Sequence, residues 1–228
     1  APEQSGSGVI IAKKGNNYTV LTVNHLVKNP NSEYVVFTSK RKEYKVTEVK
    51  SFQNNNSRLD LAVVMFESDE EYPVAPISNS DAAKIGSGVY VSGYPSSADG
   101  SKEREYAFTS GQVTNIRSSN ADGYTIRYNA LTRRGMGGGP VFDVSGRVIG
   151  IHGQAETGFN SGIPINTFVG MMSQVGMDKS ALKVDNKAPE NTDAEEVKPG
   201  EAQGWFGDFA QDILKDVIRG GLRRLLPF

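Results

Sequence analysis

The sequence has no cysteine and only two histidines in 228 residues. The first absence excludes disulfides, thiolate nucleophiles and cysteine-based zinc sites. It leaves the compartment open, because a cysteine-free chain suits oxidising and reducing surroundings alike. The second leaves little room for a histidine-rich metal centre, so any imidazole chemistry must use His25 or His152. An excess of charge of one sign is also missing. The net charge is −1 and the isoelectric point about 6.2, so the chain carries no basic footprint for nucleic acid. No apolar run approaches the roughly 18 residues of a membrane span. Neither is there the charged and apolar pattern of a signal peptide.

What is present reads mostly as short strands. Val9–Ala12 is closed by the turn Lys14-Gly15-Asn16-Asn17 and followed by the β-branched run Tyr18–Val23. Segments of the same character follow at Glu33–Thr38, Glu43–Phe52, Leu59–Phe66, Val89–Pro95, Tyr106–Ile116, Tyr124–Asn129, Val141–Phe142, Val148–Ile151 and Gly162–Ile165. Gly, Asn, Asp, Ser and Pro punctuate them, which predicts an all-β sandwich or barrel. Short helices are expected at Asn24–Val27 and Asn166–Val175.

The composition changes towards the C-terminus. Residues 181–204 hold Pro189, Pro199, Gly200 and a run of acids, among them Glu190, Asp193, Glu195 and Glu196. They predict a flexible acidic linker with little to bury. In 205–228, Phe206, Phe209, Ile213 and Val217 recur at steps of three and four, as do Leu214, Ile218, Leu222 and Leu225. Charged residues fill the other face, acids early and bases late, which predicts an amphipathic helix. Such a helix could dock on the barrel or a second copy, bind a partner protein, or lie on a membrane surface.

Three segments carry chemistry. Leu21-Thr22-Val23-Asn24-His25-Leu26-Val27 places a histidine at a strand end. Arg58-Leu59-Asp60-Leu61-Ala62-Val63-Val64 places an aspartate at the head of a buried strand. Gly135-Met136-Gly137-Gly138-Gly139-Pro140-Val141-Phe142 is a glycine-rich loop entering a strand. In this order they resemble the trypsin-like serine proteases of the chymotrypsin fold, most closely the disulfide-free bacterial members. Ser5-Gly6-Ser7-Gly8 looks like that family's opening strand, and Gly150-Ile151-His152-Gly153 with Gly162-Ile163-Pro164-Ile165-Asn166 like the end of its second barrel. The likeness runs over roughly residues 5–175.

The resemblance implies two six-stranded antiparallel β-barrels within residues 1–180, meeting near 85–100, with a closing helix. It implies His25 as general base and Asp60 as its orienter. Backbone N–H groups of Gly135 and Gly137 would form the oxyanion hole. Thr132, His152 and Gly153 would line the primary specificity pocket. A Thr and His so placed resemble glutamyl endopeptidases, and Arg133 and Arg134 add to a preference for acidic substrates. The implied ligand is a peptide or protein, with no metal or cofactor and no nucleic acid. Relatives of this kind are often exported, which points to an extracytoplasmic site.

Two departures matter. The family's nucleophile position is Gly137, and glycine has no side chain with which to attack a carbonyl. Such a chain is expected to be inert, either as a protease whose serine has been removed deliberately or as a natural pseudoprotease that binds through the same groove. A plain structural barrel module is the third reading. The family fold also has one strand before the Ser-Gly-Ser-Gly segment, where this chain has four residues. Either the chain is a fragment or its first barrel is built without that strand, leaving an edge to be covered.

Overall fold

The computed structural model describes residues 5–53, 59–96, 105–156, 159–185 and 187, together with the backbone of 213–219. The first half begins with a hairpin of β1 (Val9–Lys14) and β2 (Asn17–Thr22). Gly15 at φ 60° takes the first position of its two-residue turn. That conformation matches the strand twist and is open to glycine at no steric cost. β3 (Ser32–Phe37), β4 (Glu43–Lys45), β5 (Glu48–Ser51) and β6 (Ala62–Glu67) complete this half. The run expected over Glu43–Phe52 is thus two strands with a corner between them. At that corner the Val46 N–H donates to Tyr34 O and the Thr47 N–H to Met65 O. These bonds join the sheet β1-β2-β6-β5 to the pair β3-β4.

The second half is a closed barrel. Its strands are β7 (Gly88–Gly93), β8 (Ala107–Ile116), β9 (Ile126–Tyr128), β10 (Pro140–Asp143), β11 (Val148–Glu156) and β12 (Phe159–Pro164). They close in the order β10-β11-β12-β9-β8-β7. Period-two alternation sorts the side chains. Val89, Val91 and Val141 point into the barrel with Ile126 and Met136, whereas the intervening Tyr90 and Phe142 join the other core. That larger core runs through the first half and across to Ile151, Ile163 and Phe168. The mostly-β architecture agrees with the chymotrypsin-like fold, but only the second of the two expected six-stranded barrels is closed; the first half is a four-stranded and a three-stranded sheet, joined at the corner after β4 rather than by a continuous ladder.

Two short helices bear on the site. α1 (Asn24–Val27) follows β2, as expected. α2 (Ile165–Met171) follows β12 and tightens into a 3-10 turn over Met172–Val175. It straps the second half to the first. Phe168 meets Phe52 edge-on at 5.8 Å, and Gln174 exchanges hydrogen bonds with the Gln53 backbone.

The C-terminal region differs from expectation at two places. Residues 182–185, within the expected linker, are held to the rest of the structure by their backbone: Leu182 bridges to Ala12, and Ile77 exchanges backbone hydrogen bonds with Lys183 and Asp185. Ile213–Arg219, read as part of an amphipathic helix, is a strand, β13, antiparallel to β3 from Ile213↔Phe37 to Arg219↔Ser32. Ile213, Val217 and Ile218 are β-branched, and the outer edge of β3 offers unpaired backbone groups. A free sheet edge can outweigh a helical period in so short a segment. The rest of the 205–228 helix, and the linker beyond residue 187, lie outside the described residues.

Candidate active site

Strand register brings the first two candidate residues together. β2 pairs with β6 so that Thr22 faces Ala62. Continuing that register by two residues sets Asn24 opposite Asp60, and the Asn24 N–H donates to Asp60 O at 3.3 Å. His25 then lies in α1 with its ring over the aspartate. Its Nδ1 is 2.7 Å from Asp60 Oδ2, and its main-chain N–H donates to Oδ1 at 2.8 Å. The bond to the carboxylate makes Nδ1 the protonated nitrogen and leaves Nε2 as the proton acceptor. The His25 side chain is 42% exposed and that of Asp60 14% exposed, so the pair opens to solvent on the imidazole side.

Burial alone would raise the Asp60 pKa. Hydrogen bonds from the His25 ring and from Tyr124, with the nearby His25 charge, outweigh burial and hold it below the ordinary carboxylate range. Tyr124 had no place among the candidate residues. Its O–H donates to Asp60 Oδ2 at 2.5 Å. Nothing in the sequence distinguishes this tyrosine from other strand tyrosines, because its partner is 64 residues away.

The glycine-rich loop is braced by the opening segment. Ser7 is fully buried. Its N–H donates to Gly137 O at 2.8 Å and its Oγ donates to Gly135 O at 2.8 Å. Ser7 Oγ also accepts from the Tyr94 N–H at 2.9 Å, and its carbonyl accepts from Thr22 Oγ1 at 2.8 Å. Thr22 lies three residues before His25, so this serine ties the loop to the strand that carries the imidazole. Gly138 has φ 90°, and a side chain there would overlap Ser7 O and Thr22 Oγ1. Only glycine fits that position.

Gly137 is different. Its backbone lies outside the left-handed region, and an added methyl group would meet only Gly153 O, at 3.4 Å. The position accepts a side chain. The neighbouring Gly138 and Gly139 N–H groups donate to His152 O and Met136 O, at 2.7 and 3.0 Å. The Gly137 N–H has no such partner among the described residues.

The specificity candidates lie alongside. The His152 N–H donates to Gly139 O, which holds β11 against the loop. The His152 ring is buried, and its Nδ1 is 2.6 Å from the Tyr128 hydroxyl. Burial lowers its pKa to about 4, so the ring is neutral at pH 7. Thr132 Oγ1 donates to Asn160 Oδ1 at 2.7 Å, tying it across to β12. At Gly153 a side chain would overlap the Tyr124 ring. Arg133 and Arg134 are exposed next to the loop.

Comparison with known proteins agrees with this geometry. Residues 6–151 match the trypsin-like peptidase domain. The chain is 28% identical over 224 residues to a probable periplasmic serine endoprotease, DegP-like, of Hahella chejuensis, covering 94% of this chain and 40% of that protein. It is 30% identical over 224 residues to a protein of the same description from Marinomonas, with 96% and 41% covered. With the serine protease Do-like HtrA of Bacillus subtilis it shares 26% over 223 residues, 93% of this chain and 48% of the other. The chain spans less than half the length of these relatives. With the family domain matched over most of its length, and the histidine, aspartate and glycine loop inside that match, the chain belongs to the trypsin-like peptidases.

Proposed function

We propose that this chain is a trypsin-like serine endopeptidase scaffold, inert with Gly137 and competent for peptide-bond hydrolysis once a serine stands there. The observation that carries this reading is a hydrogen-bonded His25–Asp60 pair together with a position 137 that has room for a side chain, on a loop tied through Ser7 to the strand leading into His25. In the serine form, Oγ attacks the scissile carbonyl, His25 Nε2 takes its proton, and Asp60 stabilises the imidazolium. The His25 proton then passes to the leaving amine. The Gly135 and Gly137 N–H groups receive the developing oxyanion.

Thr132, His152 and Gly153 would form the primary pocket. A neutral His152 whose Nδ1 accepts from Tyr128 keeps Nε2–H as a donor, suited to an acidic side chain. The exposed Arg133 and Arg134 favour the same substrates. Relatives described as periplasmic endoproteases support an extracytoplasmic setting. The second reading is a natural pseudoprotease that uses the same groove to bind peptides without cutting them. Its support is the same loop, kept in place around a residue that cannot attack.

The test is Gly137→Ser. The folded variant should label with a fluorophosphonate and cleave casein, with Glu-containing peptides preferred. The parent chain should do neither. A folded variant that neither labels nor cleaves sinks the protease reading, and peptide binding by the parent chain would then support the pseudoprotease.

A further inference from the structure

Tyr124 belongs to the second half of the molecule, yet its phenol reaches the acid of the first. The segment that carries it grips Asp60 twice. The Asp60 N–H donates to Asp122 O at 3.0 Å, and Tyr124 O–H donates to Asp60 Oδ2 at 2.5 Å. Gly123 between them has φ 94°, and a side chain on it would overlap Leu59. The turn therefore lies directly on the backbone that leads into Asp60. Tyr124 is 3% exposed. Its ring occupies the space over Gly153 that any other residue's side chain would need, and Gly153 O is the neighbour of position 137. One aromatic ring thus spans from the aspartate to the strand that flanks the nucleophile position.

We propose that Tyr124 is a positioning residue for the acid–base pair. It holds the Asp60 carboxylate from the second half, so that the geometry of the pair depends on how the closed barrel sits against the sheets of the first half. The catalytic consequence rests on the protease reading; the effect on Asp60 does not. Oδ1 is held by the His25 main chain and Oδ2 by both the ring and the phenol. With three donors in place, rotating the carboxylate away from the imidazole would break hydrogen bonds at both oxygens. Burial and the Asp60 charge keep the phenol protonated, so it acts only as a donor. The ionisable groups around it are Asp60 and, beyond that, His25 on one side, and Asp122 and Tyr128 on the other.

The test is Tyr124→Phe, which keeps the ring and removes the donor. In the inert parent chain, carbon-13 NMR of the Asp60 carboxyl, assigned by its loss in Asp60→Asn, should show a titration midpoint raised by about one pH unit. In the Gly137→Ser background, kcat should fall about tenfold with KM within about twofold, as for an interaction made only in the transition state. An unmoved Asp60 midpoint in the folded variant overturns the proposal, as does a raised KM with kcat unchanged. If the Phe variant does not fold, 3-fluorotyrosine placed at position 124 gives a stronger donor. The midpoint should then fall, and no change overturns the proposal. An inactive Gly137→Ser chain whose Asp60 midpoint still responds would refute the protease reading and leave the role of Tyr124 intact.

Discussion

Ser7 spends all of its hydrogen-bonding groups on the loop that carries position 137 and on its two neighbours. Removing its hydroxyl would delete two hydrogen bonds, one to the Gly135 carbonyl and one from the Tyr94 N–H. Ser7→Ala should therefore destabilise the protein by about 1–3 kcal/mol, as measured by urea unfolding. In the Gly137→Ser background it should also lower activity, because the loop loses its tie to the opening segment. Position 137 itself shows how far a single residue can be separated from its frame. The frame is crowded at Gly138 and roomy at Gly137, so introducing a serine at 137 should change unfolding free energy by less than about 1 kcal/mol. A larger loss on denaturation would show that the loop has relaxed around glycine.

At the level of elements, the register of β2 on β6 delivers His25 to Asp60, and β11 delivers Gly153 to the loop. The Thr-x-x-His, Asp-Leu-Ala and glycine-loop segments were legible in the sequence because each is a local pattern. Tyr124 and Ser7 were not, because a tyrosine or serine gains its role only from a partner far along the chain. The C-terminal segment shows the same limit. The apolar residues of Ile213–Arg219 recur at helical spacing, and the edge of β3 decides for the strand. Deleting residues 213–228 should strip hydrogen-exchange protection from the β3 amides on that edge while those facing β4 stay protected. Unchanged protection along all of β3 would contradict the pairing.

For the whole molecule, buried His152 makes folding sensitive to acid. The folded ring takes up a proton only near pH 4, whereas in the unfolded chain it does so near 6.5. Below 6.5 the unfolded state binds more protons, so the contribution of this group is complete above pH 6.5 and is lost as the pH falls towards 4. The loss amounts to about 3 kcal/mol. Asp60 acts in the same direction, since its lowered pKa adds stability that disappears as the carboxylate is protonated. Urea midpoints should fall between pH 7 and pH 4, and His152→Gln should flatten that slope. An equally steep slope in the variant would assign the acid sensitivity to other groups.

The strands, the hairpin at Gly15, the short helices and the three motif segments followed from the sequence alone, because turn chemistry and period-two patterning act over a few residues. So did the glycine at position 137, which has no side chain in any fold. Tertiary structure decided what depends on distant partners. It set the room above Gly137, the burial and neutral state of His152, the strand at β3's edge and the grip of Tyr124 on Asp60. Each arises where segments far apart in the chain come within hydrogen-bond or van der Waals distance, and a linear pattern carries no measure of that distance.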